Sequence, residues 1–271
     1  MNFSRLALCI LAAFSASTAA VSQEVEPPED WVISRIPDKD AVIASVPFNN
    51  GITLVTRCTG QVFDVMILGL PEARRGANSR SLTFLVGDET EEKPYVWSIG
   101  TDRTSAFSRV PAITARSLAE GGKLQIIVPG EGGAPRTRYV MNLGPSGSAI
   151  EETLTHCGRA LVDPRDDQLE GDGDGLPTGI MWTRPPRPEF PSSVQGRQPV
   201  HGYVAMTCLV TAEGRLANCE IESEQPPGYN LGRSVKNSLG GARLGQSEEA
   251  RAAGRRFEGA MILFTVNFEL R

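Results

Sequence analysis

Apolar residues along this chain alternate in short runs rather than in long helical stripes. Gly51–Arg57 (GITLVTR) and Gln61–Gly69 (QVFDVMILG) are β-branched runs on either side of Cys58-Thr59-Gly60, which predicts a hairpin. Ser81–Val86 and Tyr95–Ile99 predict two further strands across a charged turn. Leu124–Val128 and Thr137–Leu143 predict another pair around a Gly/Pro turn. Two segments carry helical spacing instead. Pro111–Ala119 starts on proline and stops at Gly121-Gly122. Ser146–Cys157 sets Ile150, Leu154 and Cys157 on one face, with Ser146 at an N-cap position. Strands mixed with two short helices predict a β-rich α+β unit.

The last third has its own pattern. Pro185, Pro186, Pro188 and Pro191 force an extended entry, and Ser192–Gly196 suits one helical turn. Gly202–Val210 and Leu216–Glu222 read as two strands joined by a turn at Glu213-Gly214. After the stop at Pro226–Gly228, Asn230 is placed to cap a helix bearing Leu231, Val235 and Leu239 on one face. Ala260, Ile262, Phe264, Val266, Phe268 and Leu270 then alternate along a terminal, half-buried strand. The fold expected here is a three-stranded antiparallel sheet with one packed helix. The whole chain reads as α+β.

Length and charge divide the chain further. Its 271 residues suit one large domain or two small ones. Residues 21–165 are mildly acidic, 166–181 carry five acids and no base, and 182–271 are mildly basic. The middle stretch, DDQLEGDGDGLPTGIM, reads as an acidic Gly/Asp linker between a β-rich domain (21–165) and a C-terminal domain (182–271). A calcium loop there lacks an oxygen ligand where Leu176 stands, so no metal is expected. The net charge of −5 gives no nucleic-acid footprint. No apolar run reaches the ~18–20 residues that cross a bilayer. Residues 1–20 do have an export signal's layout: Arg5, an apolar core from Leu6 to Phe14, and small residues up to Ala20. Cleavage after Ala20 would leave a periplasmic protein with no stable membrane insertion. An uncleaved anchor is the alternative.

Cleavage would also remove Cys9 and leave Cys58, Cys157, Cys208 and Cys219, an even set that reads as two disulfides in an exported protein. Cys58 ends a strong strand and Cys157 lies on a helix's apolar face, so Cys58–Cys157 is the economical pair. With a two-residue turn at Glu213-Gly214, Val210 faces Ala217, Cys208 faces Cys219 and Met206 faces Ile221. A three-residue loop would shift this register by one and spoil the match. Buried free thiols are the alternative.

The C-terminal pattern is similar to the TonB C-terminal domain family. The matching residues are the aromatic-Pro entry at Pro188–Pro191, the strand Gly202–Val210, the turn Ala212-Glu213-Gly214, the helix lead-in Glu224–Gly232 and the closing strand Phe264–Leu270. The resemblance covers about a third of the chain. It implies protein binding in the periplasm: the partner is an outer-membrane receptor or other envelope protein, whose segment adds as a strand to the sheet edge. The terminal strand is then the docking edge, with Met261, Leu263, Thr265 and Asn267 on its polar-tolerant, partner-binding face. The same edge could pair two copies of the chain as a homodimer. Earlier residues resemble the invasion-associated locus B family through Gly87-Asp88, Pro111–Ala119 and Cys157-Gly158.

Catalytic motifs are scarce. The chain has no GxSxG, HExxH, phosphate loop or CxxC. Its two histidines, His156 and His201, read as an exposed helix residue and a strand-edge residue. Arg251, Arg255 and Arg256 read as a solvated basic cluster. A binding protein without enzyme activity, cofactor or metal is expected. The alternatives are an envelope-modifying enzyme with its site in 21–165, or an anchored transducer if the signal is retained.

Overall fold

The computed structural model describes residues 30–88, 90–130, 135–169, 176–191 and 201–269. The expected export signal (1–20), Asp172 and Asp174 of the acidic stretch, the helical turn expected at Ser192–Gly196, and Leu270 lie outside the described residues.

The first half forms one nine-stranded antiparallel sheet. Its strands are β1 (Val32–Ile36), β2 (Ala41–Pro47), β3 (Thr53–Thr59), β4 (Val62–Leu68), β5 (Ser79–Val86), β6 (Pro94–Ile99), β7 (Ala106–Ser108), β8 (Gly122–Val128) and β9 (Thr137–Leu143). The spatial order is β1-β2-β3-β4-β7-β6-β5-β8-β9. The chain meanders through four strands, skips ahead to β5, and doubles back so that β7 closes against β4. Helix α1 (Pro111–Ala119) then carries the chain to β8, beside β5.

Helix α2 (Gly147–His156) packs against α1, β2 and β3. Its apolar stripe, Ile150 and Leu154, joins Leu54, Phe63, Leu82, Leu118 and Leu124 in one buried cluster. A hydroxyl pair, Thr56 Oγ1 and Thr153 Oγ1 at 3.1 Å, satisfies both groups inside the same seam. Cys58 and Cys157 close that seam as a disulfide, with Cα atoms 5.6 Å apart. Ser146 stands at the N-terminus of α2, but its side chain does not cap the helix. It turns back toward the Leu118 carbonyl, 3.3 Å away.

The second half builds a three-stranded antiparallel sheet. Its strands are β11 (His201–Val210), β12 (Leu216–Gln225) and β14 (Met261–Glu269), in the order β12-β11-β14. A smaller ribbon pairs β10 (Ile180–Arg184) with β13 (Arg243–Gln246). Helix α3 (Leu231–Ser238) lays Leu231 and Val235 on the large sheet, among Val204, Met206, Val210, Ile262 and Phe264. Trp182 meets Phe264 edge-on at 5.3 Å, and Phe190 meets Phe268 at 5.7 Å. The short helix α4 (Glu248–Ala252) is capped by Ser247, whose Oγ accepts from the Ala250 N–H.

Asn230 precedes α3 in a left-handed conformation, and its side chain makes no cap. Glu224 takes over that role. Its carboxylate accepts from the Tyr229 N–H at 3.1 Å and from the Gly232 N–H at 2.8 Å. A full negative charge at a helix N-terminus also meets the favourable end of the helix dipole.

The β11–β12 hairpin departs from the expected register. Thr211 and Arg215 close the turn, so three residues lie between them, not two. Gly214 adopts φ +70°, and a Cβ there would lie 2.2 Å from the Leu244 carbonyl oxygen. The longer loop pairs Val210 with Leu216, one residue short of the predicted Ala217. A bulge at Asn218, itself at φ +47°, inserts one residue and restores the register. Met206 therefore does face Ile221, and Cys208 and Cys219 form a disulfide with Cα atoms 4.1 Å apart. The predicted pair is present, reached through a bulge rather than a flush turn.

Candidate functional site

β14 forms one edge of its sheet. Its inner side pairs with β11 from His201↔Glu269 to Leu209↔Met261. The Val210 N–H donates to the Ala260 carbonyl at 3.0 Å, which fixes the phase of the ladder. By the alternation of antiparallel pairing, the main-chain groups of Leu263, Thr265 and Asn267 then point away from β11. Among the described residues, the one strand contact on that outer side is a parallel bridge from Leu169 to Met261.

The four residues expected to form a partner-binding face are not equivalent. Met261 is 1% exposed and Leu263 2%, so neither side chain is available to a partner. Thr265 is half-buried and Asn267 is exposed. The correction has a clear cause: this sheet is covered on both faces. One face meets α3, and β12 packs against α1 and β4 of the nine-stranded sheet. Ala205 and Thr207, which pair with Thr265 and Leu263, are fully buried as well. The unbroken run Met261-Ile262-Leu263-Phe264 is what a strand buried on both faces looks like, and it overrides the alternation read from the even-numbered positions.

Ionic contacts line the seam between the two sheets. Arg159 donates to Glu220 Oε2 at 3.0 Å and to the Ile221 carbonyl at 2.7 Å. Arg165 bonds Asp163 and also meets Glu220 at 2.8 Å. Arg116 reaches Asp166 at 2.9 Å. Hydrogen bonding from Arg165 holds the Asp163 carboxyl down at about 2, whereas burial raises that of Asp166. The acid Asp166, read as part of a solvated linker, is thus engaged at this seam.

Beside the seam lies a cleft of about 940 Å³. Strands β5, β6 and β7 form one wall, and the ends of β11, β12 and β14 form the other. Arg109 lines it from the corner where β7 turns into α1. Its carbonyl accepts a 2.7 Å hydrogen bond from Ser223 Oγ on β12. Its guanidinium carbon lies 4.5 Å from the centroid of the Tyr203 ring. Burial raises the Tyr203 phenol's pKa, opposed by the neighbouring serine hydroxyls and the Arg109 charge. Asn267 and Glu269 of β14 also line this cleft, as does His201.

Sequence reasoning missed Arg109 and Tyr203. They lie on separate elements, and neither belongs to a motif. A weak signal existed, since Tyr203 falls on the strand face opposite Met206 and Val210, where an aromatic needs a second covering layer. His156 faces Asp40 at 3.1 Å, at the far end of the nine-stranded sheet. Arg251, Arg255 and Arg256 are exposed around the end of α4. Among the described residues, no three acidic, histidine or cysteine side chains gather in a metal-binding group, and no helix is long and apolar enough to cross a membrane. No family model matches the chain, and no curated protein matches it.

Proposed function

We propose that this chain is an exported binding protein of the cell envelope, whose terminal sheet takes up an extended segment of an outer-membrane receptor or other envelope protein by strand addition along β14. The observation that carries this reading is the outer edge of β14, where Leu263, Thr265 and Asn267 present main-chain donors and acceptors in phase. Binding rests on the main chain, because Met261 and Leu263 are buried. Selectivity falls to Asn267 and to whatever lies in the adjoining cleft.

Further support comes from the strand–hairpin–helix–strand order of the terminal part, which fits a TonB-like domain. Two disulfides fit an oxidising compartment such as the periplasm. The mature protein works as an adaptor, without catalysis.

The test uses the full mature chain and an array of extended peptides from periplasm-facing segments of outer-membrane proteins. A bound peptide is expected to slow hydrogen exchange at the Leu263, Thr265 and Asn267 amides. Thr265→Pro removes an outward N–H without breaking a β11 bond, so the fold should survive while binding is lost. If bound peptides leave those amides unprotected, or bind Thr265→Pro as well as the wild type, the reading is wrong. Self-association with the same protection would identify the partner as a second copy.

A further inference from the structure

We infer that the cleft between the two sheets is a carboxylate-binding site, with Arg109 as its anchor. Three observations converge on this.

The first is that Arg109 is held but not neutralised. Its main chain is fixed from both sides: Ser223 Oγ donates to its carbonyl, and the next residue's N–H, that of Val110, bonds Ser108 Oγ at 3.1 Å. The side chain lies over the Tyr203 ring, yet among the described residues the guanidinium has no carboxylate or carbonyl partner. Its Nε is buried without a hydrogen bond. A buried donor left unmade costs about 1–3 kcal/mol, so an acceptor that reached it would find a site already desolvated and oriented. Stapling the two sheets does not need this, since Ser223 and the Tyr203 contact already do so.

The second is donor geometry. Glu269 of β14 lines the cleft as an exposed carboxylate, whereas Arg103 and Asp102 are hydrogen-bonded. Arg103 donates to Glu72 at 2.9 Å. Asp102 accepts from the Thr104 and Ser105 N–H groups and from Ser105 Oγ. A planar fork of N–H donors suits a carboxylate in particular, because both oxygens can be met at once.

The third is shape. About 940 Å³ is in the range of small-ligand sites, and such sites favour the boundary between two packed units. Leu68, Val96 and Phe107 line the cleft with apolar surface, and the hydroxyl of Ser98 and the amide of Asn267 line it with polar groups. The ligand is therefore amphipathic: a carboxylate with a short apolar body. It is either a free small acid or the C-terminal carboxylate of a chain laid along β14, whose Asn267 and Glu269 line the same cleft. Only the second source rests on strand addition.

The experiment uses the full mature chain with labelled arginine side chains. Hexanoate and its amide probe the free acid. The tripeptide N-acetyl-Val-Thr-Val, as acid and as C-terminal amide, probes the chain terminus. The acids should shift the Arg109 Nε–H resonance and bind at least about tenfold more tightly than the amides, a difference of ~1.4 kcal/mol. Arg109→Gln should abolish that discrimination. Arg109→Lys, which keeps the charge but not the fork, should retain part of it and guards against a folding artefact. Exchange at the Leu263 and Thr265 amides is read in parallel. A resonance shift with hexanoate and no amide protection assigns a free small acid. A shift with the peptide acid alone, accompanied by protection, assigns a chain terminus. Protection without acid–amide discrimination would sink the cleft while leaving strand addition standing. Equal binding of acids and amides, discrimination persisting in Arg109→Gln, or no shift from either acid at millimolar concentration would overturn the proposal.

Discussion

Arg159 and Glu222 face each other across the seam at 3.5 Å, and the Glu222 side chain is almost wholly enclosed. Thr207 Oγ1 donates to the other carboxylate oxygen at 2.6 Å. Glu222 sits on β12, whereas Arg159 follows α2, so this contact ties the end of the first half of the chain to the terminal sheet. Removing one partner of such a pair leaves the other charge buried and uncompensated. Arg159→Ala is expected to cost about 3–5 kcal/mol, read as a lowered midpoint in urea unfolding. Adding Glu222→Gln to Arg159→Ala should recover part of that loss. Costs that simply add would mean that the two residues act independently.

The Asp163 carboxyl gives the seam a pH dependence. Its pKa is held at about 2 in the folded chain, chiefly by the hydrogen bond from Arg165. An unfolded aspartate titrates near 3.9. The stabilisation is therefore present above about pH 4 and is lost as the pH falls through about 2. Urea midpoints from pH 6 down to 2 should fall for the wild type. Asp163→Asn should start lower and decline less, and the two curves should converge at the acid end.

Glu224 caps α3 with both carboxylate oxygens. Glu224→Ala should lower stability by ~1–2 kcal/mol and speed hydrogen exchange at Tyr229 and Gly232. Asn230→Gly, which keeps the left-handed backbone, should cost little, because the Asn230 side chain bonds no helix N–H.

The two disulfides close loops of very different length, with sequence separations of 99 and 11. In the chain-entropy model, paired serine substitution at Cys58 and Cys157 should cost about 4–5 kcal/mol. The same change at Cys208 and Cys219 should cost about 3 kcal/mol. Thermal melts of the two double variants, compared without reductant, check the order.

Much of the fold was legible where one local rule governs. Pro111 and the Gly121-Gly122 stop bound α1 at the predicted residues, and β9 coincides with Thr137–Leu143. Legibility failed where two parts of the chain decide jointly. The three-residue turn became visible only with Leu244 packed on Gly214, and the Asn218 bulge is the correction that this turn demands. Leu263 was assigned to an open face because nothing local announces that a second sheet will cover it. The strands β1 and β13 are short and mixed in character, and each exists through its neighbour. Arg109 and Tyr203 are the extreme case: an anchor residue and its platform become a site only through packing between two cores.

The Leu169 bridge to Met261 has a consequence for any strand that docks on β14. The chain already occupies the first outward position of its own edge. An incoming segment meets a stop at that end, so its register is set by collision rather than by sequence. Only the stretch from Leu263 to Glu269 remains for it, about 20 Å at ~3.3 Å per residue. So short a ladder gives a fast-exchanging grip, and a long-lived complex would have to draw its hold from what the end of that segment finds beyond Glu269.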